Sequence, residues 1–272
     1  MNFKHINRLF IFLMFILIMA ACQDQDRTVL TNVDKEEKSG EEQTAEIIDE
    51  DTLSPEETNE NEEVAQEVKN ETSHFEDGSL LKAVEEDDQE LVLSILENSD
   101  YQVEEMNDNS ETPLMLAVHN NFIEISKMLI DHGADINKQD EISDSPYLYA
   151  GAQGRSEILK YMLENATPNE KIFNRFGGNA LIPAAEKGHL ENVKLLLEKS
   201  KIDINHQNNY GYTALIEAVA LAYGSRTYQD IIRILLENGA NPNLKDHHGK
   251  TALDYAQELN YVEMKNILKE YN

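Results

Sequence analysis

The chain reads as all-α: a solenoid of about six helix-turn-helix units, set behind a signal peptide and a disordered acidic linker. Three observations carry that reading. An alanine recurs at Ala83, Ala117, Ala150, Ala184, Ala218 and Ala256, with spacings of 34, 33, 34, 34 and 38 residues. Five residues before each alanine stand Gly78, Thr112, Ser145, Asn179, Thr213 and Thr251. Thr, Ser and Asn make good helix N-caps because their side-chain oxygens accept orphan backbone N–H groups. Beyond each alanine comes a second short run: LVLSILE, ISKMLIDHG, ILKYMLEN, VKLLLEK, IIRILLENG and MKNILKE. These runs are apolar on one face at helical spacing.

At the N-terminus, Met1–Arg8 is a short basic region, and Leu9–Ala21, LFIFLMFILIMAA, is uncharged and almost wholly apolar. So short a run cannot span a bilayer, which takes about 20 residues, but it suits the apolar region of a signal peptide. It ends Met19-Ala20-Ala21-Cys22, and Cys22 is the only cysteine of the chain. This resembles the lipobox of bacterial lipoproteins, where small residues precede a cysteine that is lipidated and becomes the new N-terminus. Met19 departs from the Leu usual at its position. The resemblance implies a signal peptide over 1–21, palmitate-type acylation of Cys22, and a place at the cell membrane, lipid-anchored on the extracytoplasmic face. Two or more acyl chains make such attachment stable.

Residues 22–75 form the tether. From Gln23 to Phe75 the chain holds 18 acids against 4 bases and few large apolar residues. Such a segment cannot bury enough apolar surface to offset its ordering entropy. As a flexible coil it spans roughly 40 Å root-mean-square, and anionic headgroups repel its charge. The formal net charge of the whole chain is −29. That excludes a nucleic-acid partner, since phosphate binding needs clustered Lys and Arg.

The repeat region, 76–272, divides near 76–108, 109–141, 142–175, 176–209, 210–247 and 248–272. The stretch Asn174–Asn205 shows one unit in full. NALIPAAEKG is a first helix that stops at Gly188, and HLENVKLLLEKS is a second, with Leu190, Val193, Leu196 and Leu197 on one face. Four residues after each recurrent alanine come Asp87, Asn121, Gly154, Gly188, Ala222 and Asn260. All but Ala222 are types that tolerate the left-handed backbone ending a helix before a tight turn. Helices this short cannot bury their apolar faces alone, so the units stack into a quasi-one-dimensional core with polar end caps. The acids Glu85, Glu86, Asp87 and Asp88 mark one cap, and NILKEYN marks the other.

The repeat resembles the ankyrin family. The matching residues are TPLMLA at 112–117, TALIEA at 213–218, TALDYA at 251–256 and GHLENVKLLL at 188–197, with DHGADIN at 131–137 and ENGANPN at 237–243. The stretch NRFGGNALIPAAEKGHLENVK is also similar to small bacterial ankyrin repeat proteins. The family's His in its TPLH pattern is replaced by Met115, Leu148, Ile182, Ile216 and Asp254, which implies a lost capping hydrogen bond but not a lost fold. The resemblance implies protein–protein binding through finger tips and the concave face of the first helices, and no catalysis.

The repeat is irregular in two places, and there a site is expected. The finger before Asn179 reads TPNEKIFNRFGG in place of ADIN, putting Lys171, Phe173, Asn174, Arg175 and Phe176 at a tip beside two glycines. Arg175 suits a carboxylate or phosphate of a partner, with a small molecule or anion in the groove near it as the alternative ligand. Phe176, Tyr210 and Tyr212 offer aromatic contact area, and Glu186 and Glu217 follow on the first helices. The second irregularity is VALAYGSRTYQD, an insertion of five residues relative to a 33-residue unit. It is expected to lengthen the inter-helix turn of the fifth unit and to bring Tyr223, Arg226 and Tyr228 together. The expected partner is an unidentified protein.

Other motifs carry no chemistry. The GKT at 249–251 lacks the leading glycine of a phosphate loop, because Leu244 stands there. Asp131, Asp135, Asn137 and Asp140 lack the central glycine and terminal glutamate of a calcium loop. No HExxH, Cys/His set or GxSxG elbow occurs, so neither a metal, a cofactor nor an enzymatic activity is expected.

Overall fold

The computed structural model describes residues 75–98 and 100–271. The expected signal peptide, Cys22 and the expected tether up to residue 74 lie outside the described residues. Among the described residues twelve helices follow in pairs: α1 (Ser79–Glu85), α2 (Gln89–Leu96), α3 (Pro113–Asn120), α4 (Ile123–Asp131), α5 (Pro146–Ala152), α6 (Ser156–Asn165), α7 (Leu181–Glu186), α8 (Leu190–Lys199), α9 (Ala214–Ala220), α10 (Arg226–Glu237), α11 (Ala252–Glu258) and α12 (Val262–Glu270). Among the described residues there is no strand.

The odd-numbered helices pack on one another in succession, the even-numbered ones do the same, and each pair packs internally. Two helical layers result, with one continuous core from Leu80 to Leu268. The recurrent alanines Ala83, Ala117, Ala150, Ala184, Ala218 and Ala256 are all fully buried, because only a small side chain lets successive first-layer helices approach. The second layer buries Ile95, Leu129, Leu159, Leu196, Leu235 and Leu268 between neighbours, each worth about 1.5–3 kcal/mol on removal from water.

The caps work as the spacing requires. Thr112, Ser145, Thr213 and Thr251 each accept a bond from the N–H three residues on, at 3.2 Å. Asn179 accepts from Leu181 and Ile182 at 3.2 and 3.3 Å. Where the family carries His, Met115, Leu148, Ile182 and Ile216 are 1–4% exposed and fill core space, while Asp254 completes a capping box with Thr251. Gly78 has no capping side chain, and Glu105 supplies one from a distance. Its two carboxylate oxygens accept from the Gly78 and Leu81 N–H groups, both at 2.7 Å.

Asp87, Asn121, Gly154, Gly188 and Asn260 all take positive φ. In the fifth unit Ala222 does not, and Gly224 (φ 70°) takes the left-handed place two residues later. The insertion does not go wholly into the turn. The bend between α9 and α10 covers 221–225, and α10, at 12 residues, is longer than any of its second-layer counterparts.

Candidate functional site

Five fingers precede α3, α5, α7, α9 and α11, and one side chain builds each. The side-chain Oδ1 atoms of Asn107, Asp140, Asn174, Asn208 and Asp246 each accept from the N–H groups two and four residues on, at 2.8–3.0 Å. The residue three places on is left-handed in every case: Ser110, Ser143, Gly177, Gly211 and Gly249. An Asx turn thus holds each tip. Asn174, expected to meet a partner, is the turn-builder of the third finger. Asp140, from the set that fails as a calcium loop, plays that part in the second.

Backbone and side-chain bonds then join finger to finger. The Asn209 N–H donates to the Phe176 carbonyl at 2.9 Å, and the His247 N–H to the Tyr210 carbonyl at 3.1 Å. Gln139 and Gln207 each donate to a carbonyl of their own finger and to one of the next, Phe173 and Lys245 respectively. Between the third and fourth fingers no glutamine serves. There Phe173 stacks on His206, with ring centroids 4.3 Å apart and planes 6° from parallel, and His206 Nε2 bonds the Gly177 carbonyl at 2.6 Å. A Cβ on Gly177 would collide with Asn209, so the close backbone approach that this glycine permits is made by the neighbouring finger. Glu170, in the segment replacing ADIN, accepts from the buried Tyr147 hydroxyl at 3.3 Å.

This ladder leaves a row of side chains at one tip position, two places after each Asx residue. Ile142 (41% exposed), Phe176 (half-buried) and Tyr210 (46% exposed) stand there on three consecutive fingers. The Arg175 guanidinium lies over the Phe176 ring, 4.9 Å from its centroid. Arg175 also acts on Asp144, whose carboxyl burial and Asp140 push up while Arg175, His119 and Lys187 hold it down. The Arg175 charge is therefore shared with a neighbouring carboxylate and an aromatic face before any ligand arrives.

Behind the tips lie the first-layer helices. Tyr212 turns inward, its hydroxyl 3.2 Å from that of Tyr255, and Tyr255 donates to Asp246 at 2.5 Å. Glu217 on α9 is only 5% exposed. Its Oε1 accepts from the Asn208 amide at 3.2 Å, and its Oε2 is buried without a hydrogen-bond partner. Burial, and then the Glu186 charge, push its carboxyl well above the ordinary carboxylate range. Burial also raises Glu186 at the end of α7, with Lys187 opposing. Nearer the first fingers, His119 Nδ1 lies 3.1 Å from Glu111. That bond, against burial, lowers the Glu111 carboxyl to about 2.

The insertion disposes of its side chains differently. Tyr228 turns back to the fourth unit and donates to the Glu186 carbonyl at 2.8 Å, and Tyr261 of α12 donates to the Ala222 carbonyl at 2.6 Å. Arg226 pairs with Asp230 one turn on, at 3.1 Å. Tyr223 is 80% exposed. Tyr228 thus ties the insertion toward Glu186, and Tyr223 and Arg226 remain at its surface.

The calcium-like residues are committed elsewhere: Asp131 to the Tyr161 hydroxyl, Asp135 to the Asn137 N–H, and Asn137 to the Asn169 N–H of the next finger. Among the described residues no group of three His, Cys, Asp or Glu could hold a metal, and no helix is long and apolar enough to cross a membrane.

The chain belongs to the ankyrin repeat family, whose three-copy profile matches residues 80–172 and 148–246. Among its relatives is the ankyrin repeat protein YahD of Escherichia coli (strain K12), 44% identical over 140 residues, which are 52% of this chain and 69% of YahD. The crystal structure of the ankyrin repeat protein EF0377 superposes with a TM-score of 0.72 at 59% identity, covering 73% of this chain and all of that one. An ankyrin repeat domain from Acinetobacter baumannii AYE, ABAYE2397, gives 0.69 at 43% identity, over 72% of this chain and 98% of its own. Ankyrin repeats are generally protein-interaction modules rather than catalysts.

Proposed function

We propose that the chain is a membrane-anchored, outward-facing ankyrin module that binds a protein partner along its finger tips. The observation that carries this reading is the row Ile142, Phe176 and Tyr210, held on three fingers whose backbones are bonded to their neighbours. A partner meeting this row pays little ordering cost, because the bound geometry already exists. Aromatic anchors with a stacked arginine are the side chains that dominate binding energy at interfaces. Lipidation of Cys22 places the module at the membrane surface, and the acidic tether holds it off the lipid.

Two experiments test the two halves. A photo-crosslinker placed at Tyr210 captures a partner at the cell surface, and Phe176→Ala combined with Tyr210→Ala abolishes the capture. Capture that survives this change but is lost on Tyr223→Ala with Arg226→Ala moves the site to the insertion. For the anchor, Cys22→Ser blocks processing or releases the protein from the membrane, and unchanged processing and attachment overturn that half.

A further inference from the structure

Glu217 occupies a position that does not call for a charge. One residue before the recurrent alanine, the units place Lys82, Leu116, Tyr149, Pro183 and Tyr255; Lys82, in the end unit, is exposed, and Leu116, Pro183 and Tyr255 are buried, so Glu217 is the one buried charge of the register. At the same place Glu217 buries a carboxylate with one oxygen bonded to Asn208 and the other bonded to nothing. A buried carboxylate without a compensating charge costs stability, and the charge acting on this one is a second carboxylate, Glu186, from the preceding first-layer helix. Packing gives no reason to keep the pair.

The pair is wired to the tip row. Asn208 bonds Glu217 through its amide nitrogen while its Oδ1 accepts from the Tyr210 and Tyr212 N–H groups. One side chain therefore fixes both the tip that bears Tyr210 and the carboxylate behind it. On the other side, the Tyr228 hydroxyl pins the Glu186 carbonyl. The folded region as a whole holds 34 acids against 17 bases between 76 and 272, a field that draws in a basic segment and speeds encounter.

We infer that the Glu186 and Glu217 carboxylates receive the cationic head of a Lys or Arg side chain from an extended segment of the protein partner, a segment whose apolar side chains lie on Ile142, Phe176 and Tyr210. This inference rests on the finger-tip reading of the function. Two carboxylates suit a guanidinium or ammonium, which carries several N–H donors and a single charge. They supply too few oxygens for a bare calcium ion, which takes six to eight. Glu217 Oε2 is covered in the free chain, so the cation reaches it by displacing the groups over it, and it then offsets the repulsion from Glu186.

Ionisation of Glu217 on binding adds a second signature. The groups around the pair are Lys187 beside Glu186, Tyr228 from α10 and Tyr212 from the finger. Lys187 favours ionisation, and the two tyrosines stay neutral, since burial raises both. At a pH below the raised value of Glu217, a cation entering the pair displaces a proton from it, and binding releases protons into the buffer.

The test is a display library of random peptides selected against the full chain in detergent. The expected winners carry Lys or Arg flanked by apolar residues. A synthesised winner loses about tenfold in affinity against Glu217→Gln and against Glu186→Gln, the order expected for a charged hydrogen bond. Replacing its basic residue by Gln costs the same against the native chain and nothing further against Glu217→Gln. Calorimetry in buffers of different ionisation enthalpy shows proton release with the native chain and none with Glu217→Gln. Thermal unfolding verifies that both variants fold, and Gln at 217 keeps the oxygen that Asn208 needs.

Winners without basic enrichment, additive losses, or an absence of winners overturn the inference. If the first two occur while Phe176→Ala with Tyr210→Ala still abolishes binding, the finger-tip reading stands and the cation site alone falls. If the tip changes leave a basic winner bound, the finger-tip reading falls and takes the inference with it. Calcium chloride or spermidine that binds the native chain and not Glu217→Gln, with peptide binding indifferent to that change, assigns the pair to a free cation and also overturns it.

Discussion

The third finger and the insertion of the fifth unit both break the repeat, yet the structure uses them in opposite ways. In the finger, everything beneath the tip is committed: Asn174 to its turn, Phe173 to His206, Gly177 to close approach by Asn209. What stands above that foundation, Arg175 and Phe176, is raised on a rigid base. In the insertion the commitment runs the other way. The aromatic Tyr228 is spent on tying the loop to the Glu186 carbonyl, and Tyr261 is brought from the next unit to tie it again. The residues left exposed, Tyr223 and Arg226, stand at the turn that the insertion lengthens and not on a ladder of fingers. A departure from a repeat becomes a binding surface when adjacent units carry the same kind of side chain at the same place, as Ile142, Phe176 and Tyr210 do.

The comparison breaks most sharply on binding. Phe176→Ala with Tyr210→Ala is expected to cost a captured partner ~2–4 kcal/mol, the range of interface anchors, with thermal stability little changed. Tyr223→Ala with Arg226→Ala changes neither, and a comparable loss there would invert the assignment. Next in size comes the base of the finger. Asn174→Ala removes the acceptor for two turn N–H groups and is expected to destabilise the fold by ~2 kcal/mol in urea unfolding. Tyr228→Phe removes one bond and should cost about 1 kcal/mol. If Tyr228→Phe costs more than Asn174→Ala, the insertion is the more tightly built of the two regions.

Glu217 adds a pH test on the finger side alone. A carboxyl raised above its ordinary value binds its proton more tightly folded than unfolded. Its contribution to stability is present in full below about 4.5 and fades as pH rises through the folded value. Glu217→Gln should therefore flatten the decline in stability on going from about pH 4.5 to neutral, seen as a smaller pH dependence of the melting temperature. Glu111 works in the opposite sense, contributing above 4.5 and losing that contribution as pH falls toward about 2. The two titrations separate on the pH axis, so Glu111→Gln leaves the upper window alone.

Most of the architecture was legible because it is periodic. The alanine register, the caps and the left-handed sites were read from spacing, and even the failure of Ala222 to fit was visible, though not that Gly224 would replace it. The Asx turns were equally periodic and went unread. Asn107, Asp140, Asn174, Asn208 and Asp246 recur at 33, 34, 34 and 38 residues, but sequence alone reads Asn174 as a partner contact and Asp140 as part of a set that fails as a calcium loop. The burial of Glu217 had a weaker signal, since among the units between the two ends it is the one charge at its register position, while the end unit carries the exposed Lys82 there. What no spacing reveals is where a long side chain goes. That Glu105 would cap α1, or that Tyr228 would turn back to Glu186, depends on contacts between units and not on the period.

The smallest expected effect tests whether the early fingers share the design of the later ones. At the left-handed tip position, fingers three to five carry Gly177, Gly211 and Gly249, while fingers one and two carry Ser110 and Ser143 at φ 61° and 66°. A non-glycine residue there costs roughly 1–2 kcal/mol of backbone strain, and replacing it by glycine returns most of that while adding about 0.5–1 kcal/mol of unfolded-state entropy. The balance for Ser143→Gly is a gain of a few tenths of a kcal/mol, measurable as a shifted urea midpoint at unchanged slope. Gln139 bonds the Ser143 carbonyl and not its side chain, so the link to the third finger survives and Ile142 keeps its place in the row. A gain in stability with unaltered partner binding means the tip row is held by the backbone ladder. A loss of binding at unchanged stability would mean that the Ser143 side chain itself meets the partner, and would extend the binding row one residue along the second finger.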